Sequence, residues 1–383
     1  MIYNFDLLTN RQESDSIKWS LYDEDILPLW VADTDFLAPP NLIKSLHERI
    51  DHGIFGYAKP QESTKSAIQN WVNNRHGWKI KLEDIILLPG VVQGFNFAAK
   101  AFANPGDSVL IQTPAYHPFF QVAENSNLTQ VLIPLTYNPD GSYYFNEDKF
   151  RSALTSKSKI FMLCNPHNPT GRTFSLVELH SMAQVCLENN IIICSDEIHS
   201  DLIYSETKHI PIASLSEDIG NNTISLLSAS KTFNIAGLKS SAAIITNPEL
   251  REIYIKSTSG FAGSVNLLGE LALRTAYEAG EDWLSELLFY LNHNRDYLFD
   301  FVNSELQGVR MTKPEGTYLG WLDCSGLGLK DPSKFFLEKA RVALNTGSWF
   351  GEDYSQFVRI NFGCPTSTLI TGLKRIKTSL KSL

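Results

Sequence analysis

A chain of 383 residues is too long for one small core and suits two structural units, and 43% apolar with 20% charged residues is ordinary for a globular protein. The net charge of −9 argues against a general nucleic-acid binder, whose phosphate contacts need a basic face, but leaves room for a local basic pocket around a small anion. Residues 1–20 hold Asp6, Arg11, Glu13, Asp15 and Lys18 with no apolar core of a secretory signal, and the longest apolar runs are strand-sized, which excludes a helical membrane span. Five cysteines (Cys164, Cys186, Cys194, Cys324, Cys364) show no CxxC spacing, so the expectation is a cytoplasmic protein with reduced, buried thiols and no metal.

The first 45 or so residues read as irregular, with 27–36 the one dense apolar run; Pro39-Pro40 closes it and a helix is expected over 42–50 behind Asn41. After a loop over 53–60 the pattern alternates. Strands are expected at 84–88, 108–112, 130–135, 159–164, 191–194, 223–227 and 242–245, with helices at 91–102, from 118, at 147–154 and at 175–189. Short apolar strands separated by helix-length segments predict an α/β unit, a largely parallel sheet covered by helices on both faces. Beyond about residue 275 a long helix at 283–306, a helix at 332–344 and a strand at 357–362 indicate a smaller α+β unit. The expected division is an N-terminal segment 1–45 packing with the small domain, a large domain 46–275 and a small domain 276–383.

Ligand sites in parallel sheets lie beyond the carboxyl ends of the strands, and there the polar residues are unusual. Pro89-Gly90-Val91-Val92-Gln93 is an ordinary turn or, with helix N–H groups exposed, an anion site. The two Asn-Pro steps of 165–169 stiffen a loop holding Asn168, as a structural turn or as a fixed polar contact. Asp196 follows a buried strand and is costly there unless paired; it is a turn cap or the partner of a cationic ring nitrogen. Lys231, after the apolar run 224–227 and Ser228-Ala229-Ser230, has no nearby carboxylate in sequence and either snorkels or serves as an amine able to form a Schiff base. Ser228 and Ser230 can offer hydroxyls to a phosphate, and Lys239 a charge. Arg359, inside an apolar strand, needs an anion, from an internal salt bridge or from a ligand carboxylate.

In order, Asn-Pro-x-Asn-Pro-Thr-Gly at 165–171, an aspartate 28 residues after Asn168, Ser-x-Ser-Lys reaching the lysine 35 further on, and a late Arg-x-Asn-Phe at 359–362 resemble the fold-type-I pyridoxal-phosphate enzymes of the class I/II aminotransferase group. The runs Trp30-Val31-Ala32-Asp33-Thr34-Asp35-Phe36, Thr113-Pro114-Ala115-Tyr116-His117-Pro118-Phe119, Ser195-Asp196-Glu197-Ile198-His199-Ser200-Asp201 and Ser230-Lys231-Thr232-Phe233-Asn234 narrow the resemblance to the MalY/PatB branch of cystathionine β-lyase-like C–S lyases. It covers the chain from about residue 25 onward.

The resemblance implies a pyridoxal-phosphate transferase-like fold whose large domain has a mostly parallel seven-stranded sheet. It implies that Lys231 binds the cofactor covalently and later removes the Cα proton. Asp196 would pair with the ring nitrogen, Asn168 with the ring 3-oxygen, and Tyr116 would stack on the ring, with His199 beside it. Val91 and Val92 N–H groups, Ser228, Ser230 and Lys239 would hold the phosphate, Tyr57 would reach the phosphate of the neighbouring subunit of a homodimer, and Arg359, with Ala32 and Asn168, would bind the substrate. Two positions depart from the aminotransferase pattern: His199 stands where tyrosine is common, as in the lyase branch, and Lys239 where arginine is common. The implied reaction is α,β-elimination from L-cystathionine or another cysteine S-conjugate. An aminotransferase is the alternative, and a regulatory interaction protein of the same fold a further one.

Overall fold

The computed structural model describes residues 2–261, 263 and 265–383. Its framework is a seven-stranded sheet running, edge to edge, Ile85–Leu88, Ser241–Ile244, Thr223–Leu227, Ile192–Asp196, Ser158–Cys164, Ser108–Thr113 and Thr129–Pro134. All but Ser241–Ile244 are parallel. The central strands Ser108–Thr113 and Thr223–Leu227 are buried at every position, because helices cover both sheet faces and no residue can alternate to water. Helix Val91–Phe102 lies close on one face; a Cβ at Gly94 would sit 2.8 Å from Leu226 Cδ2, so a side chain there would push the helix off the sheet. The parallel strands end on one edge, in Gly90, Tyr116, Asn165 and Asn168, Asp196, and Ser228 to Lys231.

A second, antiparallel sheet of four strands has the order Arg310–Met311, Leu319–Asp323, Phe357–Asn361, Asn345–Thr346. The 25-residue helix Glu281–Glu305 and the helix Thr366–Leu380 pack over it, burying Leu287, Leu291, Leu298, Leu369, Leu373 and Ile376 in one apolar cluster that continues through Trp283 to Phe233 and Trp71. No helix among the described residues is long and apolar enough to cross a membrane. All five cysteines are buried and unpaired.

The elements expected from the sequence recur within a few residues, with two corrections. The helix expected over 42–50 is Pro40–Asp51, entered through Pro39 with Pro40 in its first turn, so Asn41 lies inside it and is not its cap. The helix expected over 332–344 stops at Ala340: its last turn is a π-turn, Arg341 turns left-handed at φ 55°, and Val342–Ala343 becomes a strand parallel to Leu27–Pro28. The reversal is fixed by Arg341, whose Nε and Nη2 bind Asp25 at 2.7 and 2.6 Å. The structure also adds helices the patterning does not bring out, among them Pro248–Thr258, Leu267–Ala279 and Glu62–His76. In the last of these the buried Thr64, Ala67, Ile68, Trp71 and Val72 do repeat at three- and four-residue spacing, but Lys, Gln and Asn between them dilute the apolar stripe.

Candidate active site

Between the carboxyl edge of the large sheet and the small one lies a cavity of about 550 Å³. Helix Val91–Phe102 opens into it with Gly90 at the cap, no side-chain cap and no acidic residue in its first turn, so the first N–H groups and the positive end of the helix face the space. Beside them the Ser228 and Ser230 hydroxyls lie 2.7 Å apart over the Ser240 carbonyl, and Lys239, in a left-handed turn, closes the corner. The buried hydroxyl of Ser240 has no hydrogen-bond partner. This end is built for an anion.

Asp196 ends its strand in the cavity, 3% exposed, and takes one hydrogen bond, from the Ile198 N–H at 3.1 Å. Burial without a cationic partner pushes its carboxyl up from 3.8 to about 7. Opposite, Lys231 Nζ donates to the Ala32 carbonyl at 2.6 Å. Burial pushes this amine down from 10.5 to about 8, opposed by the charges of Asp33 and Asp196. Two groups poised near neutrality across one space suit proton transfer. His199 is buried and held well below its usual range by that burial, so the ring is neutral; its Nδ1 has no partner.

Arg359 comes from the second sheet, where it pairs in register with Trp321 and Asn345. Nη1 donates to Asn168 Oδ1 at 2.9 Å, Nη2 to Asn345 Oδ1 at 2.6 Å and to the Trp30 carbonyl at 3.0 Å, and the guanidinium lies over the Phe350 ring. Nε has no partner, and among the described residues no carboxylate lies within ion-pair distance. Burial lowers it to about 10, still charged at neutral pH. It is a buried cation lacking its anion, which an internal salt bridge does not supply. Asn168 is held for it by the 165–171 loop, which docks on the connection leading into strand Leu319–Asp323: Glu315 and Gly316 N–H groups bind the Gly171 carbonyl at 2.8 and 2.9 Å. Gly171 has φ 71°, and a Cβ there would meet Pro314 at 2.8 Å.

The two sheets are joined across the cavity by the strap 30–36, whose carbonyls are taken one after another. Trp30 is bound by Arg359, Val31 and Asp33 by Asn361 Nδ2, Ala32 by Lys231 and by the Tyr318 hydroxyl at 3.0 Å, and Thr34 and Phe36 by Asn234 Nδ2. From below, Arg11 and Lys18 hold Asp33 and Asp35.

Of the residues singled out in the sequence, Ala32, Val91, Val92, Tyr116, Asn168, Asp196, His199, Ser228, Ser230, Lys231, Lys239 and Arg359 line this one cavity. Tyr57 does not; it stands fully exposed, outside the chain's own site. Sequence reading missed Asn345, Trp349 and Phe350, which form the wall facing Tyr116 and His117; the run Gly347-Ser348-Trp349-Phe350-Gly351 was its signal, an aromatic pair bracketed by glycines. Cys164 also lines the cavity, its thiol held well above its usual range by burial.

The sequence pattern of aminotransferase class I and II matches residues 24–376. The cystathionine β-lyase PatB of Bacillus subtilis is 41% identical over 98% of this chain and all of that protein. Among solved structures, a PLP-bound putative aminotransferase from Clostridium difficile superposes with a TM-score of 0.96 at 38% identity, covering 99% of this chain and 100% of that one. The PLP-bound C–S lyase of Staphylococcus hominis does so with 0.93 at 34%, covering 99% of each. The chain thus belongs to the class I and II aminotransferase family, with the fold of type I pyridoxal-phosphate enzymes. Within that family it is a pyridoxal-phosphate-dependent carbon–sulfur lyase of the PatB/MalY type.

Proposed function

We propose that the protein cleaves L-cystathionine or a related cysteine S-conjugate by α,β-elimination, giving a thiol, pyruvate and ammonia. The observation that carries this reading is the trio of Asp196, Lys231 and Arg359, each facing one cavity without its natural counter-ion. The same features fit pyridoxal phosphate: an open helix end with two serines and a lysine for its phosphate, and an unpaired carboxylate for its ring nitrogen. When bound, the cofactor supplies an electron sink for the negative charge that develops at the substrate Cα.

In this reading Val91, Val92, Ser228, Ser230 and Lys239 hold the phosphate, and Asp196 keeps the ring nitrogen protonated. Asn168 Oδ1 is engaged by Arg359, which leaves its Nδ2 to donate to the ring 3-oxygen. Tyr116 covers the ring face. Arg359 takes the substrate carboxylate with its spare N–H groups. The Lys231 amine, neutral in a sizeable fraction near pH 8, removes the Cα proton, and the thiolate leaves from Cβ, protonated by Lys231 or by the Tyr116 hydroxyl. The three-carbon remainder hydrolyses to pyruvate and ammonia. His199 in place of the usual aminotransferase tyrosine supports the lyase over the transaminase.

We read residues 46–275 as the large cofactor-binding domain and 276–383 as the small one, with 1–45 packed on the latter. The active unit is a cytoplasmic homodimer, Tyr57 reaching the phosphate of the neighbouring subunit. The test is to incubate protein and pyridoxal phosphate with L-cystathionine and no 2-oxo acid. Equal, sustained release of thiol and pyruvate is expected; release that begins only when a 2-oxo acid is added would replace the lyase by an aminotransferase.

A further inference from the structure

Behind the cavity, beyond the last pairing of their two strands, the segments carrying Asp196 and Lys231 are joined through a buried carboxylate that the reaction does not use. Asp201 is 2% exposed. Its Oδ2 accepts from the Thr232 hydroxyl at 3.0 Å and its Oδ1 from Trp71 Nε1 at 2.9 Å; Oδ1 also forms an ion pair with Arg75, Nε at 3.2 Å, with His76 Nε2 at 3.8 Å. Its own carbonyl accepts from Arg75 Nη2 at 3.0 Å, so the Arg75 guanidinium grips side chain and backbone together. Burial alone would raise this carboxyl; the neighbouring His76 ring, the Arg75 charge and the Trp71 N–H outweigh it and hold Asp201 below its ordinary range, ionised.

The placement matters because of what adjoins it. Thr232 follows Lys231 directly, is fully buried and does not line the cavity. Asp201 closes the turn 196–201, of which Asp196, Ile198 and His199 do line it. The turn at Lys231 is held on either side by Phe233 N–H to Ala229 and Ile235 N–H to Ser230, but among the described residues Lys231's own N–H and C=O make no backbone hydrogen bond. The lysine side chain is long and freely rotating, and an amine that must reach a fixed carbon gains from a fixed base: displacement by about 1 Å can cost on the order of a hundredfold in rate.

We propose that Asp201 is a positioning residue, which through Thr232 fixes the backbone from which Lys231 projects and so sets the amine's place relative to Asp196. The proposal rests on the reading of Lys231 as the amine that holds the cofactor. It predicts that the hydroxyl of Thr232, rather than its methyl group, carries the effect, and that turnover changes more than substrate affinity.

The experiment compares the holoenzyme with its Thr232→Val, Thr232→Ser and Asp201→Asn variants by kcat and KM on L-cystathionine, melting temperature, and pH titration of the visible absorption band of the bound cofactor. Thr232→Val is expected to lower kcat by about tenfold or more at a KM within about twofold, and to move the titration midpoint by about half a pH unit or more. Thr232→Ser should retain wild-type values, and Asp201→Asn should shift the midpoint the same way as Thr232→Val. A Thr232→Val enzyme with lowered melting temperature but unchanged kcat and midpoint would make the link merely structural and overturn the proposal, as would Thr232→Ser behaving like valine. Absence of the band in the wild-type protein would instead remove the reading of Lys231, and this proposal with it.

Discussion

Replacing Asp196 by asparagine is expected to stabilise the cofactor-free protein while disabling the enzyme. The carboxyl is pushed from 3.8 to about 7 because it is 3% exposed and receives one backbone N–H. A shift of about three units corresponds to roughly 4 kcal/mol of unfavourable ionisation in the folded state. The sign follows from which state holds the proton. Below pH 3.8 both folded and unfolded chains are protonated and the carboxyl behaves as a neutral group. Between pH 4 and 7 the unfolded chain ionises while the native one keeps its proton, so wild-type stability falls as pH rises, and above 7 the whole penalty is in place. The asparagine amide never ionises. The advantage of Asp196→Asn should therefore grow from about 1 kcal/mol at pH 4.5 to about 4 at pH 8, the ceiling set by this one group. Chemical denaturation of both cofactor-free proteins at the two pH values measures it. With pyridoxal phosphate bound the order should reverse, because the wild-type carboxylate then has a ring cation to pair with, and turnover of the variant should fall by orders of magnitude. A stability difference that does not change between pH 4.5 and 8 would refute the argument, since it would mean that Asp196 is already paired within the chain.

Lys231→Ala should lose the visible absorption band of the bound cofactor together with nearly all turnover; turnover that survives would take the amine out of its role. Arg359→Ala should act mainly on KM, with a lost buried charge contact worth about 2–4 kcal/mol, or roughly 30- to 900-fold in apparent affinity for the amino acid. An unchanged KM in a folded variant would count against the carboxylate site. Tyr57→Phe should weaken pyridoxal-phosphate binding by about tenfold or more, the worth of one hydrogen bond to a charged group, with little change in melting temperature because the side chain is exposed in the single chain. Equal cofactor affinity, measured by titrating the apoprotein, would withdraw Tyr57 from the neighbouring site.

The large sheet was legible because each of its strands is an apolar run cut by Gly, Pro or Asn, and the periodicity changes sharply to helix spacing between them. The 332–344 stretch misled because its apolar residues continue past Ala340 at a spacing compatible with a helix, while the reversal at Arg341 depends on Asp25, more than 300 residues away in sequence. The site was legible where chemistry is carried by residue type at a strand end, as for Asp196, Lys231 and Arg359. What could not be read was the charge environment. Lys231 has no carboxylate near it in sequence, yet Asp33 and Asp196 both act on it in the fold. Trp349 and Phe350 escaped for the same reason, since a short helical turn in the second sheet gains its meaning only when that sheet closes over the first.

The strap at 30–36 ties two cationic side chains of the site to one short stretch of backbone. Of the five N–H donors of Arg359, three are engaged, by Asn168, Asn345 and the Trp30 carbonyl, which leaves the Nε–H and one Nη1–H without a partner among the described residues. Two residues along the same strap, the Ala32 carbonyl holds the Lys231 amine. That stretch of backbone therefore holds both the guanidinium and the amine, so a substitution that shifts the strap displaces both together.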